Sequence, residues 1–98
     1  MQKVATIEFD DGKQTLTVMR ALESYRLRLQ ASIARSQQKL RSFELRYKTT
    51  TDSFLKNMAA EDLEGGDLEY VEWAGEAGML EGLQTELKAI DHARSQLP

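Results

Sequence analysis

The feature that most constrains this fold is a repeat of apolar residues, with one serine, across residues 18–47, which contain neither glycine nor proline. The repeated positions are three or four residues apart, so they lie on one face of an α-helix. At 1.5 Å per residue, a helix of this length extends about 45 Å. A small globule cannot bury such a helix, which therefore requires a partner of similar length. The repeated positions are Val18, Leu22, Tyr25, Leu29, Ile33, Ser36, Leu40, Phe43 and Tyr47.

Residues 67–97 supply that partner, because their C-terminal half carries a second apolar stripe at helical spacing. Arg94 is the one charged residue that interrupts this stripe. Two helices of similar length joined by a short elbow predict an antiparallel helical hairpin. The stripe consists of Leu80, Leu83, Leu87, Ile90 and Leu97.

The elbow contains two chain breaks and a short helix. The sequence KTTTD at residues 48–52 ends the first helix, and Thr51 or Asp52 is expected to cap a short helix over residues 52–60. Two glycines then interrupt the chain before Asp67, which is expected to be the N-cap of the last helix. Glu69 falls in the first turn of that helix, where the helix dipole favours an anion.

The N-terminal residues 1–16 read as a small β-hairpin. Residues 4–9 are β-branched, aromatic and alternating, which predicts a strand, and the following Asp-Asp-Gly is a turn signal. A second short strand is expected over residues 13–16, with Thr17 as the N-cap of the first long helix. A two-stranded hairpin is marginal alone, so it has to pack on the helices or extend a sheet of another chain.

The predicted fold is one mainly α-helical domain over residues 1–98, with a coiled-coil-like hairpin that a second copy completes as a homodimer. Its 98 residues are 30% charged and lack cysteine, which is typical of a soluble domain without disulfides or thiolate metal sites. No apolar run approaches the roughly 18 residues that span a bilayer, and the N-terminus has no secretory signal. We therefore expect a cytoplasmic protein with no membrane association. The predicted segments are 1–16, 18–47, 52–60 and 67–97.

Charge is segregated along the chain. Residues 20–48 contain eight basic and two acidic side chains, whereas residues 52–98 contain eleven acidic and three basic ones. Four bases form a ridge beside the apolar stripe of the first helix, and a phosphate backbone could lie along it. The alternative is that this ridge faces acidic residues of the last helix, namely Glu69, Glu72, Glu76 or Glu81. The ridge consists of Arg28, Arg35, Lys39 and Arg46.

Three glycines inside the last helix need an explanation, because each costs roughly 0.8–1 kcal/mol relative to alanine. Gly78 and Gly82, with Ala74, form a smooth groove at four-residue spacing, and Gly75 lies on the side of Leu68 and Val71. Two explanations are open: internal packing, or a surface for self-association or another protein. The first long helix carries a second, minor apolar line, which one hairpin cannot also cover, and this favours a homodimer. The line consists of Leu27, Ala31, Ala34 and Leu45.

The sequence indicates no catalytic, metal or cofactor site. The lone histidine, His92, lies near the end of the last helix without a nearby partner that would make it a base or a ligand. The acidic cluster around residues 61–72 fails the EF-hand pattern, since Asp67 stands where glycine is needed and Trp73 where glutamate is needed. We therefore expect a protein that is not an enzyme.

Several features between residues 43 and 74 occur in a recognisable order. An aromatic pair, Phe43 and Tyr47, ends the first helix; TDSF at residues 51–54 and an acidic, glycine-containing elbow follow; Glu72-Trp73-Ala74 opens the last helix. In this order they resemble a loosely defined group of small prokaryotic antitoxin-type proteins from toxin–antitoxin pairs. The resemblance implies a non-enzymatic protein that binds and neutralises a small toxin, often an RNase.

Candidate partner-binding residues follow from the acidic half and its aromatic residues. Acidic side chains can occupy the positions of phosphates in a basic cleft, and a few aromatic anchors carry most binding energy in many interfaces. The alternative for the aromatic residues is the hairpin core. The candidates are Glu69, Tyr70, Glu72, Trp73, Gly78 and Gly82.

Overall fold

The computed structural model describes residues 12–97, and this part of the chain is helical with no β-strand. Its elements are α1 (Gly12–Tyr47), α2 (Thr51–Asn57), a single 3₁₀ turn (Ala60–Asp62) and α3 (Gly66–Ser95). The mainly α-helical fold that the apolar periodicity predicts is therefore confirmed for these residues.

Helices α1 and α3 lie side by side in antiparallel orientation. Arg46 near the end of α1 contacts Glu69 at the start of α3, and Arg26 in the first half of α1 contacts Asp91 near the end of α3. The described residues extend 59 Å along their longest axis. Because α1 has 36 residues and α3 has 30, the first turns of α1 extend past the end of α3.

The N-terminal prediction is wrong where the structure tests it. Residues 13–16, expected to form a strand, belong to α1, and the strand expected over residues 4–9 lies outside the described residues. Thr17 is inside the helix, where its hydroxyl donates to the carbonyl oxygen of Lys13 at 2.9 Å, and it is not a cap. The segment KQTL is too short to show a period, and Lys, Gln and Leu are all good helix formers.

Helix α1 ends in a left-handed residue. Lys48 has φ of 54°, and the N–H of Thr49 donates to the carbonyl oxygen of Glu44 at 3.1 Å, as in a Schellman motif. The next helix is capped by Thr50, whose hydroxyl accepts from the N–H of Ser53 at 3.0 Å. The expected cap, Thr51 or Asp52, is off by one or two residues, and α2 ends at Asn57, earlier than predicted.

Helix α3 starts at Gly66, which has φ of 61°, a value that favours glycine. Asp67 is in the first turn and is not the N-cap, because Gly65 occupies that position. Glu69 also lies in the first turn, as predicted, and its carboxylate accepts from the N–H of Gly65 at 2.9 Å. The Glu69 side chain thus satisfies the Gly65 N–H, a donor at the start of α3 that no N-cap side chain reaches.

The core is concentrated at the elbow end of the hairpin. Its central buried side chains are Leu40, Phe54, Leu63 and Trp73, while Leu29 and Ile33 continue the buried stripe along α1. The predicted α3 stripe is half-buried against α1. Neither long helix of residues 12–97 has an apolar segment long enough to cross a bilayer.

Candidate functional site

The elbow end holds a stack of aromatic rings centred on Trp73. The Phe54 ring is parallel to the indole, with 3.8 Å between centroids, and the rings of Phe43 and Tyr47 lie 5.1 and 5.7 Å from it. Tyr70 contacts the other side of the cluster, with 5.0 Å between its centroid and that of Phe54. Residues from α1, α2 and α3 therefore meet at one side chain.

Trp73 is fully buried, and its polar atom is also satisfied within the fold. The indole Nε1 donates to the hydroxyl oxygen of Thr51 at 3.0 Å, and the side chain has no exposed surface. A buried indole N–H that lost this acceptor would carry a desolvation cost. The core alternative that the sequence left open for Trp73 is the arrangement observed, and its ring does not reach the surface of this fold.

Glu69 ties the end of α1 to the start of α3. Its carboxylate is buried and accepts hydrogen bonds from the Tyr47 hydroxyl, from the Gly65 N–H and from the Arg46 guanidinium, the last at 2.8 Å. Arg46 also donates to Glu64 at 2.6 Å, and the N–H of Glu64 donates to the Tyr47 hydroxyl at 2.9 Å. These five residues form a closed network around the elbow.

The network stabilises one protonation state each for Glu69, Tyr47 and Arg46. The hydrogen bond from Tyr47, followed by that from Gly65, lowers the pKa of Glu69. Burial and the bond to Glu69 raise the pKa of Tyr47, and the bond to Glu64 raises the pKa of Arg46. At neutral pH the carboxylate is ionised and both neighbours are protonated, so this arrangement serves as a structural clasp.

The basic ridge divides into two parts. Arg46 contacts Glu69 and Glu64, and Lys39 lies 3.8 Å from Glu76, so half of the ridge faces acids of α3 and the elbow. The other half is bound within α1: Arg28 donates to Ser24 and Arg35 to Ser32, both at 3.0 Å. The four residues that the sequence grouped into one ridge therefore have two different kinds of partner.

Polar pairs also join the hairpin away from the elbow. Buried Ser36 donates to Glu76, and the Tyr25 hydroxyl donates to Glu86 at 3.0 Å, which raises the pKa of Tyr25. Arg94, the residue that interrupts the apolar stripe, lies 3.3 Å from Glu23 of α1. Such pairs contribute little to the stability of the fold, but they favour one register of the two helices over others.

Opposite the core, α3 exposes a continuous surface of apolar and glycine residues, which we call the outer face. Its large side chains are Leu68, Val71 and Met79, which are 80%, 66% and 57% exposed. Its small residues are Gly75, Gly78 and Gly82. Gly78 and Met79 are neighbours, and the other steps between these six positions are three or four residues, so all six lie on one side of the helix.

No part of the described chain packs on the glycines of the outer face. A Cβ built at Gly75, Gly78 or Gly82 has no heavy atom of residues 12–97 within 4 Å outside its own helix turn. Gly65 differs, because a Cβ there would lie 2.8 Å from the Cβ of Glu69. Internal packing, one of the two explanations for the helix glycines, is therefore not observed within this part of the chain.

A groove of about 550 Å³ runs beside the outer face, between α3 and α1. Phe43 and Gly75 line it together with Val71 and Met79, and its polar rim includes Lys39 and Glu72. The outer face and this groove form one surface with an apolar centre, an acidic edge on α3 and a basic edge on α1.

The predicted partner-binding residues lie in two different places. Trp73 and Glu69 are buried in the hairpin and Tyr70 is half-buried against Phe54, whereas three others are on the surface, namely Glu72, Gly78 and Gly82. Met79 is absent from the predicted set although it borders the groove. Met79 lies four residues after Gly75, and this helical spacing is the sequence feature that could have placed Met79 on the same side of α3.

Residues 12–97 hold no cluster of three or more carboxylate or histidine side chains that could bind a metal ion, and His92 is exposed in the last turn of α3.

No protein-family model matches the chain, and no curated protein or solved structure shows detectable similarity to it. The antitoxin-type resemblance therefore stays a prediction.

Proposed function

We propose that this protein is a non-enzymatic interaction module whose outer face of α3 is a protein-docking surface. The observation that carries this proposal is the combination of three exposed large apolar side chains with three glycines at which an added Cβ would meet no atom of the described chain within 4 Å. Scattered exposed apolar residues are ordinary, but a contiguous set beside a groove is typical of an interaction site.

The energetics of α3 support this proposal. Three glycines in a helix interior cost about 2.5 kcal/mol relative to alanine, which is a large fraction of the stability of a small domain. Covering Leu68, Val71 and Met79 would contribute roughly 1.5–3 kcal/mol for each side chain that became fully buried. Binding of another chain can therefore offset the cost of the glycines.

The more specific form of the proposal is an antitoxin that binds and neutralises a small toxin. Its support is the resemblance between residues 43 and 74 and the acidity of the elbow, where Glu61, Glu64 and Asp67 are exposed. A toxin that cleaves RNA needs a basic cleft, and exposed carboxylates can occupy the positions where phosphates bind. In this form of the proposal the elbow contacts the toxin, and the outer face of α3 docks a further protein chain.

The test is co-expression with the product of each gene that flanks the one encoding this chain. We expect one product to arrest growth when expressed alone, to lose that effect when this chain is present, and to co-purify with it. Reversing the charge of an exposed elbow residue, Glu61→Lys, should weaken the complex more than Glu81→Lys, an exposed site elsewhere on α3. Flanking products that neither arrest growth nor co-purify would contradict the antitoxin proposal.

A second candidate function is nucleic-acid binding by the basic ridge. Its support is that Arg28 and Arg35 are exposed and donate to serines, which leaves their charges without a carboxylate partner in residues 12–97. Fluorescence anisotropy with short RNA and DNA at low salt tests it. The double variant Arg28→Ala/Arg35→Ala should lose affinity and salt dependence, while Arg41→Ala, on another side of α1, should retain both. Equal binding by both variants would exclude the ridge.

A further inference from the structure

We propose that the outer face of α3 binds a second copy of this chain, with the two α3 helices antiparallel and the two-fold axis at Gly75. The inference deepens the proposed function and rests on its assignment of the outer face to protein docking. It adds that the bound protein is a second copy and gives the register in which that copy binds. The minor apolar line of α1, whose Leu27 and Leu45 are 55% and 72% exposed, lies on the side away from α3 and stays outside this interface, contrary to the expectation from the sequence.

The sizes of the side chains define this register. In an antiparallel pair with its axis at Gly75, residues equally far before and after Gly75 lie opposite each other. Leu68 then faces Gly82, Val71 faces Met79, and Gly75 faces its own copy. Each large residue at the N-terminal end of the outer face meets a small or flexible one at the C-terminal end, so the face is complementary to itself.

A parallel pair of the same helices lacks this complementarity. Leu68 would face Leu68, and Gly82 would face Gly82, which leaves the helices crowded at one end and separated at the other. Asp67 of one copy would also lie beside Glu72 of the other along both edges of the parallel pair. Like charges close together are destabilising, and the antiparallel pair moves Asp67 away from Glu72 of the other copy.

The glycines allow the backbones to approach closely. Packed helices are 8–10 Å apart, depending on the side chains at the contact, and glycine at the crossing point permits the lower end of that range. Because a Cβ at Gly75 meets no atom of the described chain, the space above it is free to receive the second helix.

In this pair, basic side chains of α1 lie beside the acidic edge of α3. The chain has a basic α1 and an acidic α3, and the groove beside the outer face carries Lys39 on one edge and Glu72 on the other. A two-fold axis perpendicular to the helices keeps the groove edges of both copies on the same side. Glu72 of the second copy then lies beside Glu76, on the groove side, where Lys39 is 3.8 Å from Glu76 and offsets the like charges. The acidic elbows stay exposed at opposite ends.

Disulfide mapping tests this register, because the chain has no cysteine of its own. Gly75→Cys should form a covalent dimer on mild oxidation at least about tenfold faster than Leu45→Cys, an exposed site on α1, since a disulfide needs Cα atoms within roughly 4.4–6.8 Å. Leu68→Cys should cross-link to Gly82→Cys in a mixture and should not cross-link to itself. Circular dichroism of each reduced variant verifies that the hairpin is folded.

Equal rates for Gly75→Cys and Leu45→Cys would overturn the proposal, and cross-linking of Leu68→Cys to itself would show a parallel pair instead. The growth assay separates this inference from the proposed function. If the wild-type chain relieves growth arrest and no cross-links form, the second copy is excluded and the antitoxin proposal is retained. Cross-links without any effect on growth would support the dimer alone.

Discussion

Replacing Gly78 with alanine tests the account of the outer face quantitatively. In α3 the position is helical and exposed, and no heavy atom of the described chain lies within 4 Å of the added Cβ. The added methyl group therefore has no steric cost. What remains is the difference in helix propensity between glycine and alanine, which is about 0.8–1 kcal/mol in favour of alanine. We expect Gly78→Ala to stabilise the isolated hairpin by that amount.

Urea unfolding followed by circular dichroism at low micromolar protein measures this change, since dilution limits any contribution from association. With a urea dependence of about 1–3 kcal/mol per molar for a small protein, the midpoint should rise by roughly 0.3–1 M. Gly65→Ala is the matched control. Its Cβ would lie 2.8 Å from the Cβ of Glu69 and 3.1 Å from a carboxylate oxygen of the same residue, so its midpoint should fall.

A lower urea midpoint for Gly78→Ala than for the wild type would contradict this prediction. It would mean that a packed group already occupies the space over Gly78 in the monomer, and the outer face would then not be free. An unchanged midpoint for Gly65→Ala would refute the description of the elbow in the same way.

Three further predictions concern the elbow. Thr51→Val removes the acceptor of the Trp73 indole and should destabilise the fold by about 1–3 kcal/mol, whereas Thr49→Val should have little effect; urea unfolding compares them. Lys48→Gly should raise the stability by about 1 kcal/mol in the same assay, because Lys48 has a left-handed φ of 54°. The lowered pKa of Glu69 means that its ionised form stabilises the fold above the pKa of an unfolded glutamate, and that this stabilisation is lost as the pH falls through the folded pKa. Urea midpoints measured from pH 7 downwards should therefore fall less for Glu69→Gln than for the wild type, and Glu81→Gln should behave as the wild type.

The pairing of α1 with α3 was predictable because both stripes repeat over many turns, so an error at one position does not change the period. Arg94 was an apparent exception, and its contact with Glu23 explains why a charge is tolerated there. The start of α1 was not predictable in the same way. Four residues of KQTL fit a strand or a helix, and continuity with the long helix decided the outcome.

The elbow shows what a sequence cannot resolve. Three consecutive threonines, residues 49–51, all have capping side chains, and tertiary contacts decide which one caps: Thr50 caps α2 because Thr51 accepts from the Trp73 indole. Glu69 was predicted from its position in the first turn, and its bonds to Tyr47 and Arg46 depend on how the elbow folds back. Helical spacing placed Leu68, Val71 and the helix glycines on one side of α3, and the structure adds that no described residue covers that side.

The molar mass in solution shows whether the outer face of α3 binds a second copy of this chain. Light scattering over increasing concentration should show the wild-type chain approaching twice its 11.1 kDa, while Leu68→Glu stays at the mass of one chain. Leu45→Glu makes the same change at a leucine that is 72% exposed on α1, against 80% for Leu68, and should associate as the wild type does. A wild-type chain that remains at 11.1 kDa up to millimolar concentration, or equal association by both variants, would contradict the assignment of the outer face to a second copy.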